Sequence, residues 1–339
     1  MNFLPVSQES LEKGAEILKN GGLVAFPTET VYGLGADAFN PKALAKVFEV
    51  KGRPHFDPLI IHISSIDTLE KAADLTLLND ETRRRLFLLA ENLWPGPLSL
   101  VLPKNEKIPG IATAGLSTAA IRFPDHETAQ KLISLSSGAV AAPSANPFGA
   151  LSPTRAQHVH RALGEKVDLI LDGGPTRIGL ESTVLDITSE NIKILRPGGM
   201  PRETIEKLIG PVLSIQEQHN EHGGAHASPG QLKSHYAPKT QLTTLNREEI
   251  ISKTFETNSA FLFFDNSTKD EWVNTHKPDK TVIVRVLSGN GNLLEAASRL
   301  FETLHELDNE KASKIYAQLA PQEGLGEAIN DRLKRGSSR

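Results

Sequence analysis

Apolar positions change period repeatedly along this chain, and each change marks an expected element. Residues 7–20 carry Leu11, Ala15 and Leu18 at helical spacing and run into Gly21-Gly22, which predicts a helix with a glycine stop. A short apolar strand over 23–26 opens into the turn Pro27-Thr28-Glu29-Thr30, with Tyr32, Gly33 and Gly35 beyond it. Asn40-Pro41 starts a second helix, proline at its first position, with Leu44, Val47 and Phe48 as its buried stripe. Residues 59–63 are apolar except for His62 and read as a strand; 80–94 read as a helix and 98–102 as a strand. Residues 104–117 are polar, carry glycine and lack a period, and read as a mobile loop beside a site. Strands are expected over 118–123, 138–142, 167–171, 182–187 and 192–195, and a helix over 202–209. Further on, 260–264 and 282–287 are β-rich, while 292–307 and 308–319 read as helical or mixed.

This alternation is that of an α/β protein in two parts. Residues 1–213 form the first domain, and residues 239–339 a small open α/β domain. Between them, 214–238 turn polar, His-rich and Gly-rich, which reads as a linker. The second domain has neither G-x-G-x-x-G nor a P-loop, so no nucleotide is assigned to it.

Composition narrows the class. With 39% hydrophobic and 23% charged residues, the chain can build real cores. A net charge of -4 argues against an evenly basic surface and leaves room for a local basic cleft. The absence of Cys excludes disulfides, thiolate catalysis and Cys-based zinc sites. No secretory pattern opens the chain and no run of about 18 apolar residues occurs, so a cytoplasmic protein without a membrane span is expected. His219, His222, His226 and His235 fit no tight metal motif, and no protein metal ligand is expected.

Candidate chemistry sits at strand ends. Lys51 and Arg53, stopped by Pro54, pair a point charge with a planar fork, as a polyphosphate requires. Alone, K-x-R also describes two surface cations. Arg122 lies in an otherwise apolar strand and needs a partner, either a substrate carboxylate or an internal acid. Ser144-Ala145-Asn146 follows a strand, where ligands gather in α/β sheets. Ser152 begins a helix, and Arg196 marks another strand exit. Arg83-Arg84-Arg85 could suggest RNA, but helical neighbours point about 100° apart, which reads as a solvated face.

Four strings taken together are far more specific: F-P-T-E-T-V-Y-G-L-G from Phe26, K-G-R-P from Lys51, S-A-N from Ser144, and H-A-S-P-G-Q-L-K-S-H-Y-A-P over 226–238. They resemble the threonylcarbamoyl-AMP synthase family in its long form. The resemblance implies a YrdC-like catalytic domain with a twisted mixed sheet, a linker that folds back as a lid, and a C-terminal Rossmann-like domain. It implies that L-threonine, bicarbonate and ATP give threonylcarbamoyl-AMP and pyrophosphate, with Mg²⁺ bridging phosphates. Thr30, His62, Arg122 and Ser182, with the backbone at Ala142, would hold threonine. Lys51, Arg53, Asp57, Thr118, Ser144, Ser152, Arg196 and Tyr236 would hold ATP, Lys51 and Arg53 being the catalytic cations. Asp57 stands where the family often has Asn, and a carboxylate there would repel a triphosphate unless Mg²⁺ or Lys51 intervenes. The product would pass to the tRNA-threonylcarbamoyl transferase machinery, with tRNA contact possible. No general base is obvious; His62 has only its location in favour. A rival from another class is a double-stranded RNA or tRNA-binding module without synthase activity.

Overall fold

The structure, a computed structural model, describes residues 2–213, 235–310 and 312–338. Of the expected linker over 214–238, residues 214–234, with His219, His222 and His226, lie outside them. The described chain divides into two compact units. The first holds residues up to Phe148, Pro153–Arg177 and those from Glu181 to 213; the second holds Gly149–Ser152, Ile178–Leu180 and the residues from 235 onward.

The first unit runs β1 (Phe3–Pro5), α1 (Gln8–Lys19), β2 (Val24–Phe26), β3 (Gly33–Asp37), α2 (Pro41–Lys51), β4 (Ile60–Ile63), α3 (Asp80–Leu93), β5 (Leu98–Pro103), β6 (Thr118–Arg122) and α4 (Glu127–Leu135). It continues with β7 (Ala139–Ala141), α5 (Ala156–Leu163), β8 (Leu169–Asp172), β9 (Thr183–Asp186), β10 (Lys193–Arg196) and α6 (Arg202–Ile209). Its ten strands form one mixed sheet in the order β1-β8-β2-β3-β7-β4-β6-β5-β9-β10. Local chemistry sets the helix limits. Ser7 and Ser10 form a capping box at α1. Asn40 caps α2 by accepting from the amides of Lys42 and Ala43, with Pro41 behind it. That helix stops at Gly52, whose φ of 61° is left-handed and has open space around it. The stop leaves Lys51 as the last helical residue and sends Arg53 into the following loop.

Alternation along the strands sorts their side chains. Leu59, Ile61 and Ile63 join Leu44, Val47, Phe48, Leu100 and Ile121 in the largest core cluster. Ile60 turns the other way, into a smaller cluster with Val101, Ala120, Val184 and Leu195. His62 shares that second face by period. Another core lies under α1 and α4, through Leu11, Leu18, Leu132 and Ile133.

The second unit runs β11 (Leu242–Leu245), α7 (Arg247–Ser252), β12 (Ser259–Phe263), α8 (Asn266–His276), β13 (Ile283–Val286), α9 (Leu293–Asn309), β14 (Lys314–Gln318) and α10 (Leu325–Gly336). Its four strands are all parallel, in the order β11-β14-β12-β13, around Phe261, Phe263, Trp272 and Tyr316. That is the open α/β layout expected. No helix among the described residues is long and apolar enough to cross a membrane.

Two expectations change, and one unassigned stretch proves to be a strand. Residues 308–319 are not a helix beyond Asn309; Lys314–Gln318 is a strand between β11 and β12, because buried Ile315, Tyr316 and Ala317 suit a strand covered on both faces. Gly33 and Gly35, which follow the expected turn and fall in no expected element, lie in β3, where a Cβ on Gly35 would come within 2.7 Å of the Phe26 ring. The loop over 104–117 is held in place by buried Ile108 and Ala112.

Candidate active site

Sheet register lines up several of the candidate side chains. His62 on β4 pairs with Arg122 on β6, Arg122 with Ser99 on β5, Ser99 with Val184 on β9, and Val184 with Arg196 on β10. Directly paired residues share a face, so this is one row across five strands spaced about 4.8 Å apart. His62, Arg122, Ser99 and Arg196 are all buried. Beside the row, Ile60, Ala120 and Val101 supply an apolar floor.

Each member of the row has a defined state. The Nδ1 of His62 lies 3.2 Å from the carbonyl of Ile60, which can only accept, so the tautomer with its proton on Nδ1 suits this contact. Burial, and then the charge of Arg122, push the His62 pKa down to about 3, so the ring is neutral at physiological pH. Arg196 donates through Nε (3.1 Å) and Nη2 (2.8 Å) to the carbonyl of Ser182, and through Nη2 (3.1 Å) to its hydroxyl. That hydroxyl is 2.8 Å from the hydroxyl of Ser99. Arg122 donates from Nε to the carbonyl of Gly96, and its Nη2 is 2.6 Å from Oε2 of Glu29. Thr30 is fully buried, its hydroxyl 2.8 Å from that of Thr28, which donates to the carbonyl of Val31.

A second cluster forms where α2 ends. Lys51 is buried and donates from Nζ to the carbonyls of Ser144 and Asn146, both at 2.5 Å, tying the helix to the S-A-N loop. Burial first, and then the neighbouring charge of Arg53, hold its pKa well below the ordinary lysine value; Asp57 and Glu181 oppose that fall. Arg53 donates to the carbonyls of Asp57 (2.9 Å) and Pro58 (2.7 Å) and pairs with the Asp57 carboxylate at 2.9 Å. The acid at position 57 is thus neutralised by Arg53 inside the loop, and not by Lys51 alone. Ala142 donates its amide to the carbonyl of Ile60 (3.0 Å), which ties the start of the S-A-N segment to β4.

The structure therefore brings Thr30, Lys51, Arg53, Asp57, His62, Thr118, Arg122, Ala142, Ser144, Ser182 and Arg196 into the first unit. Ser152 and Tyr236 belong to the second. There Ser152 accepts from His305, and Tyr236, at φ 61°, packs its ring 4.7 Å from the Arg332 guanidinium. Sequence reasoning did not single out Glu29, which meets Arg122, Ser99, which meets Ser182, or Glu181, whose charge acts on Lys51. Ser99 had a signal, a lone hydroxyl inside the apolar run L-S-L-V-L.

Close backbone packing holds the row's far end. A Cβ on Gly198 would lie 2.3 Å from the carbonyl oxygen of Glu181 and 2.5 Å from the amide nitrogen of Thr183. Gly198→Ala must push apart the segments that carry Ser182 and Arg196. We expect about 1–3 kcal/mol of lost stability in denaturant unfolding and a rise in the KM of the site's substrates. Wild-type values for both would show that the segments yield without cost.

Comparisons with known proteins agree with this geometry. A family model described as "Telomere recombination" (Sua5, YciO and YrdC proteins) matches residues 16–198, and one described as "Threonylcarbamoyl-AMP synthase, C-terminal domain" matches 200–338. The threonylcarbamoyl-AMP synthase of Pyrococcus abyssi is 39% identical over 98% of this chain and 95% of its own length. That of Bacillus subtilis is 38% identical over 98% and 94%. The crystal structure of P. abyssi Sua5 complexed with L-threonine superposes with a TM-score of 0.84 at 37% identity, covering 99% of this chain and 96% of that one. A neutral histidine and buried arginines in one row, a lysine-bound S-A-N loop and these full-length likenesses agree: the chain belongs to the threonylcarbamoyl-AMP synthase family.

Proposed function

We propose that this chain is a nucleotidyltransferase that joins L-threonine, bicarbonate and ATP into threonylcarbamoyl-AMP and pyrophosphate. One observation carries the reading: Lys51, Arg53, Arg122 and Arg196 are all buried in one unit, with a neutral His62 in register with Arg122. An RNA-binding surface would need such cations exposed. The Arg122 guanidinium takes the threonine carboxylate. Thr30, Ser182 and Nε2 of His62 meet the rest of the amino acid, Nε2 accepting from its hydroxyl, with the carbonyl of Ala142 nearby. Lys51, Arg53, Thr118, Ser144 and Arg196 hold the nucleotide, with Asp57 acting through Arg53. Ser152 and Tyr236 fall in the second compact unit; we read residues 1–213 as the catalytic domain and 239–339 as the C-terminal domain, the expected lid over 214–238 lying mostly outside the described residues.

The reaction asks for position and charge more than covalent help. A carbamate oxygen attacks the α-phosphorus as pyrophosphate leaves, and the buried cations take up the developing charge. Mg²⁺ is a hard cation that binds phosphates with one or two carboxylates. Of the acids whose charge acts on Lys51, Asp57 is already paired with Arg53, which leaves Glu181 as the carboxylate that would help hold the ion; no group of three potential ligands occurs among the described residues. When bound, the ion would neutralise phosphate charge. The labile product suits a cytoplasmic handover to the transferase that modifies tRNA.

The test is pyrophosphate release by purified protein with ATP, Mg²⁺ and bicarbonate, with and without threonine. Release should require threonine, and valine should support it at least a hundredfold less well, because an isostere leaves the hydroxyl's partners unpaired. Release indifferent to threonine would refute the assignment.

A further inference from the structure

Glu29 is an acid turned onto this row that no role above employs. It comes from the T-E-T turn after β2, is 1% exposed, and meets Arg122 at 2.6 Å. A buried ion pair ordinarily closes its hydrogen bonds, because an unmade one costs the full desolvation of the group. This pair does not. Oε1 and Oε2 of Glu29 and Nη2 of Arg122 all lack a hydrogen-bond partner among the described residues, despite the short approach. The Nδ1 of His126, at the start of α4, is likewise buried without a partner. An anion and a cation kept side by side with acceptors and a donor unused is the complement of a zwitterion.

We propose that Glu29 receives the ammonium group of the amino-acid substrate and accepts its proton before the carbamate forms. The inference rests on the reading of the site as a threonine site. With the carboxylate on Arg122 and the ammonium on Glu29, four buried charges sum to zero. Moving one proton leaves two, Arg122 and the substrate carboxylate, still summing to zero; a dry site favours the smaller number. In that step an N–H bond breaks, its electron pair stays on nitrogen, and an O–H bond forms on Glu29. The nitrogen pair then forms the N–C bond with bicarbonate carbon. A C–O bond breaks, and the departing hydroxide takes the second amine proton and leaves as water. Glu29 returns its proton to solvent, so amine and bicarbonate give carbamate and water, and the one proton in excess is accounted for. The groups facing Glu29 are Arg122 from β6 and His126, whose own pKa burial lowers while the charge of Glu29 raises it.

The test compares wild type with Glu29→Gln, which keeps the shape and removes the charge. Equilibrium binding is measured for L-threonine and for its deamino analogue, with hydrogen in place of the amino group. Threonine should bind the variant about thirtyfold more weakly, whereas the deamino acid, an anion relieved of a facing carboxylate, should bind no more weakly than to wild type. A purely structural role would weaken both equally, and that result overturns the proposal. In turnover, kcat should fall by about 10²–10⁴-fold and should rise with pH as solvent supplies the free amine. A variant with wild-type kcat and pH profile also overturns it. Should Glu29→Gln not fold, Glu29→Asp is read instead; it keeps the charge on a shorter stem and should retain the preference for threonine over the deamino acid, loss of that preference counting against the proposal. Failure of wild type to bind threonine at all would sink the parent assignment, and the proposal with it. A threonine-binding wild type whose variant is indifferent to the amino group would sink this inference alone.

Discussion

Lys51→Met should lower threonine-dependent pyrophosphate release by about 10²–10³-fold, the usual loss when one preorganised charge donor is removed from a developing anion. The size follows from what the ammonium does. It is wholly enclosed, it bonds two carbonyls of the S-A-N loop at 2.5 Å, and its charge lies beside that of Arg53. Losing it frees Ser144 and Asn146 from α2 and, on the proposed reading, removes a phosphate ligand at once. Lys51→Arg should fare little better, because a planar fork cannot occupy a closed space shaped for a compact point charge. Steady-state kinetics in both substrates decides the matter. Losses should appear in kcat and in the KM for ATP, with equilibrium threonine binding nearly unchanged. Retention of a tenth or more of the wild-type rate by Lys51→Met would mean that the lysine serves the loop and not the phosphates.

Much of this site was legible because its cations interrupt apolar patterns. Arg122 and His62 stand out in strands of Ile and Ala, and Lys51 and Arg53 follow a helix whose cap, Asn40-Pro41, and stop, Gly52, are written locally. The helices α1, α2, α3 and α9 were readable for the same reason: their periods and caps are local. What was not legible depends on distant chain. Glu29 reads as an exposed turn acid until β6 brings Arg122 against it. Whether Arg122 met a substrate or an internal acid was open from sequence; the structure gives it the internal acid, and the unmade hydrogen bonds leave that acid available to a ligand. The glycines of β3 hid a strand, because glycine signals turns and here serves the close approach of Phe26. The pairing of Asp57 with Arg53 was missed although the two lie one helical turn apart in sequence, since nothing local announces that a loop will bury both.

Arg122→Met should cost about 3–5 kcal/mol of folding stability, the range seen when one partner of a buried ion pair is removed. The cause is not the lost attraction so much as the carboxylate of Glu29 left enclosed without a counter-charge. Urea unfolding should show this as a lower midpoint with an unchanged slope. The double variant Glu29→Gln and Arg122→Met should recover most of the deficit, because it buries no net charge; what remains is the bond from Arg122 to the carbonyl of Gly96. Its activity should stay as low as that of either single variant, since both substrate-facing groups are gone. Stability restored without turnover would separate the fold-holding task of this pair from the zwitterion binding proposed for it. A double variant no more stable than Arg122→Met would show that Glu29 is already relieved by solvent or by His126, and the argument from an enclosed charge would fail.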